Sequence, residues 1–166
     1  MLSAILTAKN GDSSIVHMGM EIERKFTIKH LPDDVESYGF HVIEQAYLTT
    51  EPVIRVRRED DRYYMTYKGV GGDNTSLAHE EYNLALTEES YRTLSSKADG
   101  NVIRKKRILI PYMDHTIELD IFDEPFKGLI IAEVEFATEG EANDFTPPEW
   151  FAEDVTDRKE DRKSVV

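Results

Sequence analysis

Glu21-Ile22-Glu23-Arg24-Lys25-Phe26 sets two carboxylates and an ammonium two residues apart. On a β-strand alternate side chains share a face, so Glu21, Glu23 and Lys25 form one row, opposite Ile22 and the stem of Arg24. The spacing recurs downstream in Arg55/Arg57, Lys105/Arg107, Glu118/Asp120 and Glu133/Glu135, with Thr66/Lys68 as a half-polar version. The residues between are mostly apolar (Ile22, Val56, Leu119, Val134), Tyr67 is an aromatic counterpart, and Lys106 breaks the rule. Any one pair reads most simply as the solvated face of a half-buried strand. Recurrence on so many strands, in both signs, gives weight to the opposite arrangement, with the charged faces inward and the apolar alternates outside.

If the charged faces turn inward, six bases (Lys25, Arg55, Arg57, Lys68, Lys105, Arg107) share a site with clustered acids. Arg offers phosphate oxygens a bidentate fork and Lys a point charge. One small carboxylate would not need six cations, whereas a triphosphate would use them. Hard carboxylate oxygens suit Mg2+ or Mn2+, and Mg2+ usually takes one or two carboxylates together with substrate phosphates and water.

The elements that must hold these residues are mostly strands. Alternation and turn signals predict strands at Met20–Ile28, Phe40–Leu48, Val53–Arg58, Arg62–Lys68, Ala78–Leu86, Val102–Ile110, Thr116–Phe122 and Leu129–Ala137. One or two helical turns are expected over Asp33–Tyr38. A helix is expected after Thr87, whose hydroxyl caps a first turn holding Glu88 and Glu89, and a short one over Glu139–Phe145. Gly69–Asn74 reads as a loop, and Thr146–Phe151 as a rigid turn carrying an aromatic anchor. Eight strands, each adjacent to the next in sequence, predict an α+β, mainly β fold: a closed eight-stranded antiparallel β-barrel with a few helices packed outside. Residues 1–19 are expected to be a disordered leader, and residues 20–166 a single domain.

With 166 residues, 33 acidic and 20 basic, the formal net charge is -13. Such a surface repels nucleic acid and anionic membranes, so neither is an expected partner. No apolar run reaches the roughly 18 residues of a membrane span. No cysteine is present, which removes disulfides, thiolate metal sites and a Cys nucleophile, and a cytoplasmic location is expected. The expected partner is a small polyanionic substrate, for a monomer or a homodimer.

From about Met20 to Lys159 the chain resembles the CYTH domain proteins, or triphosphate tunnel metalloenzymes. Their ExExK signature stands here as Glu21-Ile22-Glu23-Arg24-Lys25, followed in order by Arg55-Val56-Arg57, Thr66-Tyr67-Lys68, Lys105-Lys106-Arg107, Glu118-Leu119-Asp120 and Glu133-Val134-Glu135. ExExK alone is a weak motif, and six ordered pieces are a strong one. The strings EIERKF, YLTT, ELDIF and EVEF look closest to the bacterial inorganic triphosphatases.

The resemblance implies an eight-stranded tunnel acting on triphosphates with a divalent metal. Glu23, Glu133 and Glu135 would hold metal, with Glu21 and Asp120 assisting or binding a second ion. Lys25, Arg55, Arg57, Lys68, Lys105 and Arg107 would grip phosphate. A tunnel carboxylate, Glu21 or Glu81, would activate the water, and Lys25 would act beside it. A class IV-like adenylate cyclase, a nucleoside or thiamine triphosphatase, and a non-catalytic polyphosphate- or nucleotide-binding module are the alternatives. Relatives often carry Arg-x-Glu-x-Glu where this chain has His79-Glu80-Glu81-Tyr82-Asn83, and commonly a Tyr where Asp161 stands. Lys159 reads as a surface lysine or a gate residue.

Overall fold

The computed structural model describes residues 4–5, 17–69 and 77–157. The strands are β1 (Ala4–Ile5), β2 (His17–Ile28), β3 (Phe40–Thr50), β4 (Val53–Glu59), β5 (Arg62–Lys68), β6 (Ala78–Ala85), β7 (Ile103–Tyr112), β8 (His115–Phe122), β9 (Ile130–Glu135) and β10 (Phe151–Asp154). Helices α1 (Glu88–Ser95) and α2 (Glu139–Asp144) and a 3-10 turn at Val35–Ser37 complete the set. The strand order β2-β6-β5-β4-β3-β7-β8-β9 returns to β2 through a β2–β9 ladder, which makes the expected closed eight-stranded antiparallel barrel. None of the described helices is long and apolar enough to cross a membrane.

Strand β2 begins at His17 rather than Met20, because His17 and Met18 pair with β1. Strand β10 was not foreseen. It follows directly on the expected turn, whose last residue is Phe151, and pairs with the end of β2, Phe151 against Ile28 and Asp154 against Phe26. After Phe151 the strand continues through Ala152, Glu153 and Asp154, residue types depleted in strands, so pairing here is decided by tertiary context. The loop over Val70–Asn74, Lys159, Asp161 and most of the leader lie outside the described residues.

The chain forms two compact units, Met1–Glu21 with Glu44–Val102, and Ile22–Ile43 with Ile103–Val166. In the first unit β4 pairs with β5 and β5 with β6, setting Arg55 against Thr66, Thr66 against Asn83, and Lys68 against Glu81. The turn between β4 and β5 falls at Asp60, whose φ of 54° lies in the left-handed region that Asp tolerates. The opposite face buries Ala46 and Val56 under Tyr91 of α1, with Leu48, Tyr63, Met65 and Leu94 around them. Thr87 caps α1 as expected, its hydroxyl oxygen accepting from the Ser90 N–H at 3.1 Å. The Tyr91 hydroxyl donates to Glu44 at 2.8 Å, which pins the helix to β3. This helix is the cover that the apolar alternates of this unit require.

In the second unit β7, β8 and β9 pair in sequence order, and β9 meets β2. The apolar face holds Ile108, Ile117, Leu119, Ala132 and Val134, all at most 2% exposed. Phe26, Phe136, Phe145 and Phe151 pack ring against ring beside it, Phe26 to Phe151 at 4.7 Å and Phe136 to Phe145 at 5.2 Å. Lys106, the out-of-phase lysine, sets its ammonium 4.2 Å from the Phe40 ring centroid.

Arg24 is out of phase with its charged neighbours, which predicts an outward side chain whose replacement matters least. The side chain does leave the Glu23/Lys25 row, but it is not idle. Its Nε and Nη2 donate to Asp154 Oδ2 at 3.0 and 2.7 Å, its Nη1 to the Ala142 carbonyl at 2.8 Å, and it stands over the Phe26 ring. One guanidinium thus ties β2 to β10 and to α2. Arg24→Ala should lower stability by about 1 kcal/mol once solvent screening of the part-exposed Asp154 is discounted. Urea unfolding checks this, and an unchanged midpoint would mean the tie carries no net stability.

Candidate active site

The predicted site residues assemble as two sets, one in each unit. In the first, Lys68 bridges two carboxylates, pairing with Glu21 and, at 3.5 Å, with Glu81. Asn83 Nδ2 donates to Glu81 Oε1 at 2.8 Å, and Thr66 Oγ1 donates to Asn83 Oδ1 at 2.6 Å. Asn83, the departure from Arg-x-Glu-x-Glu, is therefore a neutral brace for Glu81. Burial pushes the Glu81 carboxyl up, but Lys68, Asn83, Glu21 and Arg55 outweigh it and hold it below the usual glutamate range. A carboxylate so placed is ionised at neutral pH and binds a proton weakly. Burial likewise pushes the Arg55 guanidinium down, and Tyr47, Glu81 and Glu21 reverse that. Its Nε is buried without a hydrogen-bond partner among the described residues.

Arg57 stands apart. It is 5% exposed, and its Nε donates to Gln45 Oε1 at 2.9 Å and its Nη1 to the Tyr64 hydroxyl at 3.4 Å. Among the described residues it pairs with no carboxylate. A buried cation held by neutral groups retains its charge for an arriving anion.

The second set is built on Asp120, which is 0% exposed. Lys105 Nζ donates to its Oδ2 at 2.5 Å, Arg107 Nε to Oδ1 at 2.7 Å, and Arg107 Nη2 to Oδ2 at 2.8 Å. Arg107 also reaches Glu133 at 3.0 Å and Glu118 at 2.7 Å. Burial pushes the Asp120 carboxyl up, and Lys105 and Arg107 hold it below the usual range against that. Burial lowers Arg107, and Asp120, Glu133 and Glu118 raise it well above the usual range. Lys25 lies 3.3 Å from Glu23 and 3.4 Å from Glu133. Glu23 is the register partner of Glu135, and Lys25 of Glu133.

Among the described residues no group of three or more His, Asp or Glu side chains is gathered closely enough to cage an ion. The facing pair Glu23/Glu135, with Glu133 beside it, instead fits an ion that takes one or two carboxylates and completes its shell with phosphate and water.

Gln45, Tyr47 and Tyr64 were not singled out from the sequence. Gln45 and Tyr47 occupy the positions of β3 that alternate with Glu44, Ala46 and Leu48, and that phase was the available signal.

A model of the CYTH domain matches residues 19–164. An inorganic triphosphatase of Nitrosomonas europaea is 34% identical over 145 residues, spanning 84% of this chain and 91% of that one. An inorganic triphosphatase of Acetivibrio thermocellus is 32% identical over 143 residues, spanning 84% and 87%. The crystal structure of an inorganic triphosphatase superposes with a TM-score of 0.60 at 32% identity, covering 84% of this chain and 88% of that one. With the ordered charged pairs, the cyclic strand order and these relatives in agreement, the chain belongs to the CYTH domain family.

Proposed function

We propose that this protein is an inorganic triphosphatase, which uses water to split triphosphate into pyrophosphate and phosphate with Mg2+ or Mn2+. The structural observation behind this reading is Arg57, a buried cation with no carboxylate partner among the described residues, two positions from Arg55 and its unpartnered Nε. The reaction class is that of the relatives at 32–34% identity.

Arg55, Arg57 and Lys68 grip terminal phosphoryl oxygens and stabilise the charge that builds on them during in-line attack. Lys25, Lys105 and Arg107 also face phosphate. The carboxylate network around Asp120 fixes the latter two, which makes Asp120 a positioning residue, since both its oxygens accept from these side chains. Glu23, Glu133 and Glu135 would hold the divalent ion, which when bound polarises a phosphoryl oxygen and orders water. Glu21 and Glu81, bridged by Lys68, are the candidates to take a proton from the attacking water. Water's oxygen bonds to the terminal phosphorus, the bridging P–O bond breaks, and pyrophosphate leaves.

A phosphate-release screen over triphosphate, ATP, GTP, thiamine triphosphate and longer polyphosphates, each with Mg2+ and with Mn2+, tests this. Triphosphate should give the highest kcat/KM, with one phosphate and one pyrophosphate per turnover. Formation of cAMP from ATP would make the protein a cyclase. Tight binding of triphosphate without release of phosphate would make it a binding module.

A further inference from the structure

We propose that Gln45 is a positioning residue that aims the Arg57 guanidinium without neutralising it, so that the charge of Arg57 is kept for the substrate anion. The inference rests on the reading of Arg57 as a phosphate-binding group and extends it to a residue with no acid, base or phosphate-binding assignment.

Gln45, in β3, is 3% exposed, and Arg57, in β4, is 5% exposed. Arginine is only a donor, so the 2.9 Å contact from Arg57 Nε requires the amide oxygen, not the nitrogen, of Gln45. Tyr64 supplies the second fixed point. Its single hydroxyl proton goes to Glu59 Oε2 at 2.6 Å, which leaves the oxygen as an acceptor toward Arg57 Nη1. The Arg57 carbon also stands 5.9 Å from the Tyr64 ring centroid. Two neutral acceptors, one at Nε and one at Nη1, hold its plane.

Four of the other predicted phosphate-binding cations are held by carboxylates. Lys105 and Arg107 share Asp120, Lys68 bridges Glu21 and Glu81, and Lys25 lies between Glu23 and Glu133. Burying an unpaired charge is unfavourable, and a Glu at position 45 would relieve that with the same side-chain shape. This chain has the amide. The arrangement is useful where an anion completes the pairing, because a carboxylate at 45 would compete with it.

Gln45→Glu and Gln45→Ala separate aiming from packing. A purely structural Gln45 predicts that Ala is the worse variant, through the cavity it leaves. A charge-sparing Gln45 predicts the reverse for binding: Gln45→Glu should raise KM for triphosphate about tenfold or more, beyond the rise in Gln45→Ala, with thermal stability at or above that of Gln45→Ala. Calorimetric titration of the metal-free protein with inorganic triphosphate should show the same order. A rise in KM for Gln45→Glu of less than about tenfold, or one smaller than in Gln45→Ala, overturns the inference, since about tenfold is the smallest loss expected when the substrate anion loses a charge-assisted hydrogen bond. If Gln45→Glu does not fold, Gln45→Met keeps the shape without the acceptor. It should raise KM about threefold or more, and an unchanged KM overturns the inference. A wild type that neither binds nor hydrolyses triphosphate would overturn the functional reading instead, and the two failures are read from different proteins.

Discussion

Asp120→Ala is expected to lower the stability of this protein by about 3–5 kcal/mol and to remove phosphate release, because it takes away the buried carboxylate that Lys105 and Arg107 share. Lys105 is 4% exposed and Arg107 9%, and Asp120 is the carboxylate that both of them contact. Taking one partner from a buried pair leaves the other charge desolvated and uncompensated, a loss well above the roughly 0–1 kcal/mol of a surface pair. Against a typical total of about 5–15 kcal/mol, this is about a fifth or more of the stability of a domain. Asp120→Asn keeps the shape and one acceptor but not the charge, so it should fall between wild type and Ala. Urea unfolding gives the comparison, with an unchanged slope showing that the unfolded state is not altered. A loss below about 1 kcal/mol in both variants would mean that Lys105 and Arg107 find other partners.

The pH dependence of that loss has a definite sign. The folded Asp120 carboxyl is held below its usual range by Lys105 and Arg107, against burial. A depressed folded pKa stabilises above the unfolded value, about 3.9, and that contribution fades as pH falls from there through the folded value. The stability gap between wild type and Asp120→Asn should therefore be constant near neutrality and narrow below about pH 4. A gap that widens in acid would contradict the assignment.

Much of the fold was legible because strand alternation is a local signal. Arg62–Lys68 is the strand that was expected, and Thr87 caps its helix as read. The charged rows were legible for the same reason, since residues two apart share a face whatever the strand pairs with. What each charge pairs with was not legible, because that depends on register between strands far apart in sequence. Glu21 and Glu23 belong to one row, yet Glu21 pairs with Lys68 while Glu23 sits beside Lys25 and opposite Glu135. The resemblance implied a metal-assisting role for Asp120, but that Lys105 and Arg107 both donate to it could be read only from the β7–β8 register. Arg24 read as dispensable from its phase, and its partners Asp154 and Ala142 are more than a hundred residues away. Gln45 escaped notice because a neutral amide looks like any strand residue until the cation it holds is known.

Glu135→Gln is expected to act in opposite directions on stability and on catalysis, and that divergence is what identifies a metal ligand. Glu135 is the register partner of Glu23, and directly opposed side chains on antiparallel strands stand about 4.5–5.5 Å apart at Cβ, where like charges are destabilising. Removing the charge at 135 leaves the 3.3 Å Lys25–Glu23 pair intact, which makes it a cleaner change than Glu23→Gln. Without metal, Glu135→Gln should be as stable as wild type or more so, by up to about 1 kcal/mol. With saturating Mg2+ or Mn2+ and triphosphate, phosphate release should fall about a hundredfold or more. Wild type should gain thermal stability as Mg2+ is added, as a ligand that binds only the folded state requires, and Glu135→Gln should lose most of that gain. The metal-dependent shift separates a ligand from a merely supportive acid: if Glu135→Gln keeps the full Mg2+ shift and near-normal turnover, the metal is held elsewhere. If instead stability falls in the metal-free protein, the Glu23/Glu135 pair is already compensated within the fold and has no charge to offer an ion.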